Sequence, residues 1–142
     1  MASRNGSAEW SGDLSSGSGT VTVGESAWTG NYSFKSRFED GEGTNPEELL
    51  AASHAGCFTM AMSLFLTQQG HPPDKLNTTV KTHLRQVDDA PTITKAEIEV
   101  EGSVPGIDQD AFQKYAEQAK ETCVISRALK GVREMTVTAR LT

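Results

Sequence analysis

Hydrophobic and polar positions alternate in three short runs near the start of the chain. "SAEWSGDL" is closed by the turn-forming "SSGSG", "TVTVGES" alternates, and "NYSFKSRF" puts Tyr32, Phe34 and Ser36 on one side. A period of two is that of a half-buried strand, so this region predicts a three-stranded antiparallel meander. The charged, Gly-rich "EDGEGT" reads as the loop that ends it. Beyond it the pattern becomes helical. Asn45 suits an N-cap and Pro46 the first helical position. Glu47 and Glu48 stand where the helix dipole favours negative charge. The helix is predicted to run to about Gln68, where Gly70, Pro72 and Pro73 stop it.

"NTTVKTHLRQV" and "TITKAEIEVEG" return to strand periodicity, joined by the hairpin material "DDAP". Val80, Thr82 and Leu84 share a face of the first; Ala96, Ile98 and Val100 share one of the second. Ile93 is out of register with Ala96, which predicts a bulge. Asp108 caps a second helix with the stripe Phe112, Tyr115, Ala116 and Ala119. Thr122 is expected to cap a further short helix, "CVISRALKG", ended by Gly131. "REMTVTARL" closes the chain as a strand with Met135, Val137, Ala139 and Leu141 inward. Strands separated by single helices, without a repeat or a linker, point to an α+β fold.

A chain of 142 residues defaults to one domain, here 1–142. It can bury about 70% of its unfolded surface, a core that needs no disulfide staples. The two cysteines stand far apart, at 57 and 123, which excludes a CxxC turn and a zinc knuckle. The net charge is −6 and the basic residues are scattered, which argues against nucleic acid and anionic membrane as partners. The longest apolar stretch, around Cys57, reads as too short and too polar to span a bilayer. "MASRNGSAEWSG" has no signal-peptide core. The expected location is cytoplasmic, with reduced thiols.

The candidate chemistry lies in "NPEELLAASHAGCFTMAMSLFL". Helical spacing puts Leu50, Ser53, His54, Met60, Ala61 and Leu64 on a stripe with Cys57. Ala51, Ala52, Ala55 and Gly56 allow another backbone to come close. Cys57 reads either as a small core hydrophobe or as a reactive thiol. Arg37 and Glu47 upstream supply a cation and a carboxylate to orient it. Cys123 sits at a helix start, where the dipole lowers a thiol pKa. His54, one turn before Cys57, either packs in the core or acts on the thiol; with Cys57 and Cys123 it is also a conceivable zinc set.

Four segments together resemble the OsmC/Ohr family of thiol-dependent organic peroxidases, and "AEWSGDLSSGSG" (8–19) matches its OsmC branch better than its Ohr branch. The four are "RFE" (37–39), "GTNPEELLAASHAGCFTMAMSL" (43–64), "VPGID" (104–108) and "CVISRALKG" (123–131). Val124 departs from the family pattern, which has Pro after the second cysteine. The resemblance implies antiparallel sheets around a central helix in an intertwined homodimer. It implies that Cys57 is the peroxidatic and Cys123 the resolving cysteine, with Arg37 beside the reactive sulfur and Glu47 holding Arg37. It implies reduction of organic hydroperoxides through a sulfenic acid and a disulfide, in oxidative or osmotic stress defence, with recycling by a lipoyl-type or other small dithiol. No metal, haem or flavin is implied, because sulfur carries the electrons. The rival readings are a carrier of small apolar ligands and a zinc protein using His54, Cys57 and Cys123. On a continuous helix, Glu47 and Cys57 lie about 15 Å apart in rise. Either the helix breaks between them, or Glu47 serves the Cys57 of a second subunit.

Overall fold

The computed structural model describes residues 3–142 and has two compact units, one ending at Leu49 and one from Leu50 to Thr142. The first holds the meander β1 (Gly6–Ser11), β2 (Ser18–Val23) and β3 (Trp28–Tyr32), antiparallel in that order. None of its strand residues is fully buried. Trp10 packs edge-on against Tyr32, ring centroids 5.2 Å apart.

The third predicted strand is corrected at its second half. β3 stops at Tyr32, and "FKSRF" is a short helix, α1 (Phe34–Phe38). Local hydrogen bonding overrides the alternation. Ser33 Oγ accepts from the Ser36 N–H at 3.1 Å, and Ser36 Oγ accepts from the Ser33 N–H at 2.8 Å. This is a capping box with Ser in place of the usual Glu or Gln at its third position.

Helix α2 (Pro46–Gln68) starts as predicted and does not break. Asn45 Oδ1 accepts from the Glu48 N–H at 2.8 Å, while Asn45 Nδ2 donates to Ser36 O at 3.0 Å, so one buried amide caps α2 and ties it to α1. The predicted stripe is corrected by rotation. The fully buried line is His54, Phe58, Met62 and Leu66, an i, i+4 series, with Cys57, Ala61 and Phe65 packed beside it. Met60 and Leu64 face outward, 77% and 54% exposed. Nearly every side of this helix is apolar or small, so periodicity alone did not fix which side faces the core. By length and composition α2 is also sufficient to cross a bilayer, contrary to the sequence reading. Its Ala, Gly, Leu and Phe content outweighs its few hydroxyls. The core helix of a packed domain meets the same criterion, and this one buries a whole stripe in the second unit.

The second unit adds β4 (Lys75–Val87), β5 (Ala90–Ser103), α3 (Gln109–Thr122), α4 (Val124–Ala128) and β6 (Glu134–Leu141). β4 and β5 form an antiparallel hairpin whose tip, Asp88 and Asp89, has positive φ at both residues. That is the twist a two-residue hairpin loop requires. The predicted bulge is present as a register shift at His83/Leu84. β6 joins β5 in parallel. The helical crossover through α3 and α4 returns the chain in the same direction, as parallel pairing demands. Ile98, Val100, Val137 and Ala139 from the sheet meet Phe112, Ala116 and Ala119 of α3 and the buried line of α2 in one core.

Two glutamines of α3 cover the open edge of β6. Gln113 accepts from the Ala139 N–H at 2.8 Å and donates to Val137 O at 3.1 Å. Gln109 accepts from the Leu141 N–H at 2.8 Å and donates to Ala139 O at 2.7 Å. Side-chain amides one helical turn apart thus act as a substitute strand, blunting an edge that would otherwise invite pairing.

Candidate active site

Helical spacing aims Cys57 of α2 at the junction of α3 and α4, where Cys123 stands. Cys123 ends α3 and is the N-cap of α4; Thr122, the predicted cap, lies inside α3. Both thiols are free, Cys57 partly exposed and Cys123 buried. They are neighbours: burial pushes the Cys123 thiol up, and the adjacent Cys57 thiol adds to the rise. The N–H groups of Ser126 and Ile125 and the Ser126 hydroxyl oppose it, as a helix N-terminus should. Burial is the larger effect, so the helix start does not leave Cys123 a ready thiolate.

Above the two thiols opens a groove of about 690 Å³, walled by Met60, Ala61, Leu64, Phe65 and Val124. Met60 lines this groove, while Phe58 and Met62 of the same helix are plain core. Phe34 and Phe38 belong to the first unit, where they line a smaller cavity of about 270 Å³ with Arg37.

In the first unit, α1 and the start of α2 present Arg37 and Glu47 to each other. Arg37 Nη2 donates to Glu47 Oε1 at 2.8 Å, and Arg37 Nε reaches both carboxylate oxygens at 3.2 and 3.3 Å. The fork fixes the plane of the guanidinium as well as its position. The Phe38 ring supports it from one side, 5.1 Å from Cζ. Ser36 and Asn45 hold the two helix ends in register beneath the pair: Ser36 Oγ donates to Thr44 O at 2.7 Å. In the sequence Asn45 shows only as a cap and Ser36 only as a strand-face position; the three-residue spacing of Ser36 from Ser33 is the one signal of its capping role.

His54 is completely buried. Its Nε2 lies 2.7 Å from Ser126 Oγ, its Nδ1 has no hydrogen-bond partner, and burial lowers its pKa. The conceivable zinc set of His54, Cys57 and Cys123 does not gather around one point: among the described residues no three His, Cys, Asp or Glu side chains are placed to hold a metal ion. Ser126 was not singled out from the sequence; its signal was the three-residue spacing from Cys123 at a helix start.

The family model described as "OsmC-like protein" matches residues 39–138. The chain is 42% identical over 128 residues to the peroxiredoxin OsmC of Escherichia coli K12, covering 89% of this chain and 90% of that protein. It is 32% identical over 93 residues to an organic hydroperoxide resistance protein-like protein of Staphylococcus aureus USA300, covering 65% of this chain and 66% of that one. Among solved structures, an OsmC-like protein of Vibrio cholerae superposes with a TM-score of 0.76 at 13% identity, covering 98% of this chain and 99% of that one, a likeness of fold. A family model matching most of the chain, together with a curated relative that aligns almost end to end, settles membership: this chain belongs to the OsmC-like family.

Proposed function

We propose that this protein is a cysteine-based peroxidase that reduces organic hydroperoxides to alcohols. The observation that carries the reading is the meeting of two free thiols beneath an apolar groove. Family membership and the names of the two relatives support it. Cys57, the more exposed thiol, is the peroxidatic cysteine. Its thiolate attacks the O–O bond; the bond breaks, sulfur becomes a sulfenic acid, and the departing alkoxide takes a proton to leave as the alcohol. Cys123 then attacks the oxidised sulfur, forming a disulfide and releasing water. An external dithiol, of lipoyl or similar type, reduces that disulfide by exchange. The apolar walls favour an alkyl hydroperoxide over hydrogen peroxide, because each buried methylene contributes about 0.8 kcal/mol.

Arg37 is the activating cation and Glu47 its holder. A guanidinium keeps its charge at every working pH and offers several donors to sulfur and leaving oxygen. Since α2 is unbroken, the Glu47 and Cys57 that work together belong to different copies in a homodimer. The exposed Met60, Leu64 and Val124, and a meander with no buried residue, give a second copy apolar surface to cover. The two compact units form one family domain, because the family match at 39–138 crosses their boundary. A cytoplasmic location and a role in oxidative or osmotic stress complete the proposal. The test is consumption of cumene hydroperoxide with a supplied dithiol. Wild type should turn over faster with it than with hydrogen peroxide, and Cys57→Ser should not turn over. Equal activity in Cys57→Ser would overturn the assignment and favour a carrier whose cysteines merely pack.

A further inference from the structure

Resting on the peroxidase reading, the buried pair His54 and Ser126 has no part yet in the chemistry. A polar pair in a core is costly unless it is well satisfied, and here one ring nitrogen is left without a partner. The pair joins α2 to α4 across 72 positions of sequence at 2.7 Å. Its α4 end, Ser126, sits beside the Cys123 thiol.

We propose that Ser126, backed by His54, is the proton acceptor that lets Cys123 attack the oxidised Cys57. The step balances. Cys123 sulfur forms a bond to Cys57 sulfur as the S–O bond breaks, its electron pair leaving with oxygen. The Cys123 proton passes to Ser126 Oγ while the Ser126 proton passes to His54 Nε2. The reverse transfer delivers one proton to the departing hydroxide, which leaves as water. Cys57 sulfenic acid is reduced, Cys123 is oxidised, and no proton is gained or lost overall. His54 uses the tautomer with hydrogen on Nδ1, leaving the Nε2 lone pair facing Ser126.

The need for such an acceptor follows from the surroundings. Cys123 is buried and burial raises its pKa, so the attacking group starts as a thiol. His54 is held neutral by its own burial, so its lone pair is available. Ser126 takes the proton from the reacting thiol and is a catalytic residue; His54 acts through Ser126 and is a positioning residue, both for the second half of the reaction only.

The test separates the two halves in a single turnover. The sulfenic acid is generated with excess hydrogen peroxide, which loads Cys57 whatever the natural oxidant, and is followed by dimedone trapping. Disulfide closure is followed by loss of free thiol. In Ser126→Ala, closure should slow by about 10²-fold relative to sulfenic acid formation, the scale of lost general-base help. Ser126→Thr, which keeps the hydroxyl, should restore the ratio. His54→Gln, which keeps a hydrogen-bond acceptor but no proton site, should remain slow. An unchanged ratio in Ser126→Ala overturns the proposal. Consumption of cumene hydroperoxide by Cys57→Ser at the wild-type rate would instead count against the peroxidase reading, since closure in wild type is measured independently of it.

Discussion

At the scale of single residues, electrostatics separates what the side chains do. The Arg37–Glu47 fork is charge-assisted, with the carboxylate largely enclosed (14% exposed). Glu47→Gln keeps the shape and removes the charge. A charge-assisted bond is worth about 1.5–3 kcal/mol, roughly 10–100-fold; turnover of cumene hydroperoxide should fall on that scale, and the denaturation midpoint should fall too, because the bond is already made in the resting fold. His54 makes the opposite use of burial. Its folded pKa lies below the ordinary 6.5. Between the two values the unfolded chain binds a proton that the folded chain refuses, so stability is intact above 6.5 and falls as pH drops toward the folded value. Urea denaturation at pH 7.5 and 5.5 should show a lower midpoint in acid, and a smaller drop in His54→Gln. Glu97 responds in a lower window. Lys95 and His83 hold its carboxyl at about 2, so its contribution is present above 4.5 and is lost progressively as pH falls from 4.5 to 2.

At the scale of elements, short-range hydrogen bonds decided what hydrophobic alternation left open. Ser33 and Ser36 turned a predicted strand end into α1, and that turn carries Arg37 to Glu47. Gln109 and Gln113 are another case: on a helical wheel they are ordinary surface residues, yet they complete the edge of β6. Gln113→Ala removes two backbone partners at once and should cost about 1–3 kcal/mol, measured by denaturant unfolding. Gln113→Glu keeps the acceptor for Ala139 N–H but sets a carboxylate against Val137 O, so it should recover only part of the loss.

At the scale of the whole molecule, the question is how Arg37 reaches a reactive sulfur. If a second copy supplies it, two inactive variants should rescue each other. Mixing Glu47→Ala with Cys57→Ser under exchange conditions makes hybrids with one site holding both native residues. Peroxidase activity should return toward a quarter of wild type when the variants mix randomly in equal amounts. No recovery, with exchange verified, means that both residues serve the same chain. Leu64→Lys, on the exposed side of α2, should lower the sedimentation mass to that of a single chain.

The sequence by itself determined most of the elements. Caps, prolines, the bulge at His83/Leu84 and the strands of β4, β5 and β6 were legible because each depends on neighbours a few positions away. It also carried the family, because the segment around Cys57 is distinctive as a string. Tertiary structure decided which side of α2 is core, since a helix apolar on nearly all sides has no preferred face until another surface covers one. It decided that β6 runs parallel to β5, since pairing direction depends on where a crossover ends. It brought Ser126 to His54, a contact between residues 54 and 126 that no local period encodes. The balance at Cys123 is of the same kind: the helix start is written in the sequence, but the burial that outweighs it is set by packing.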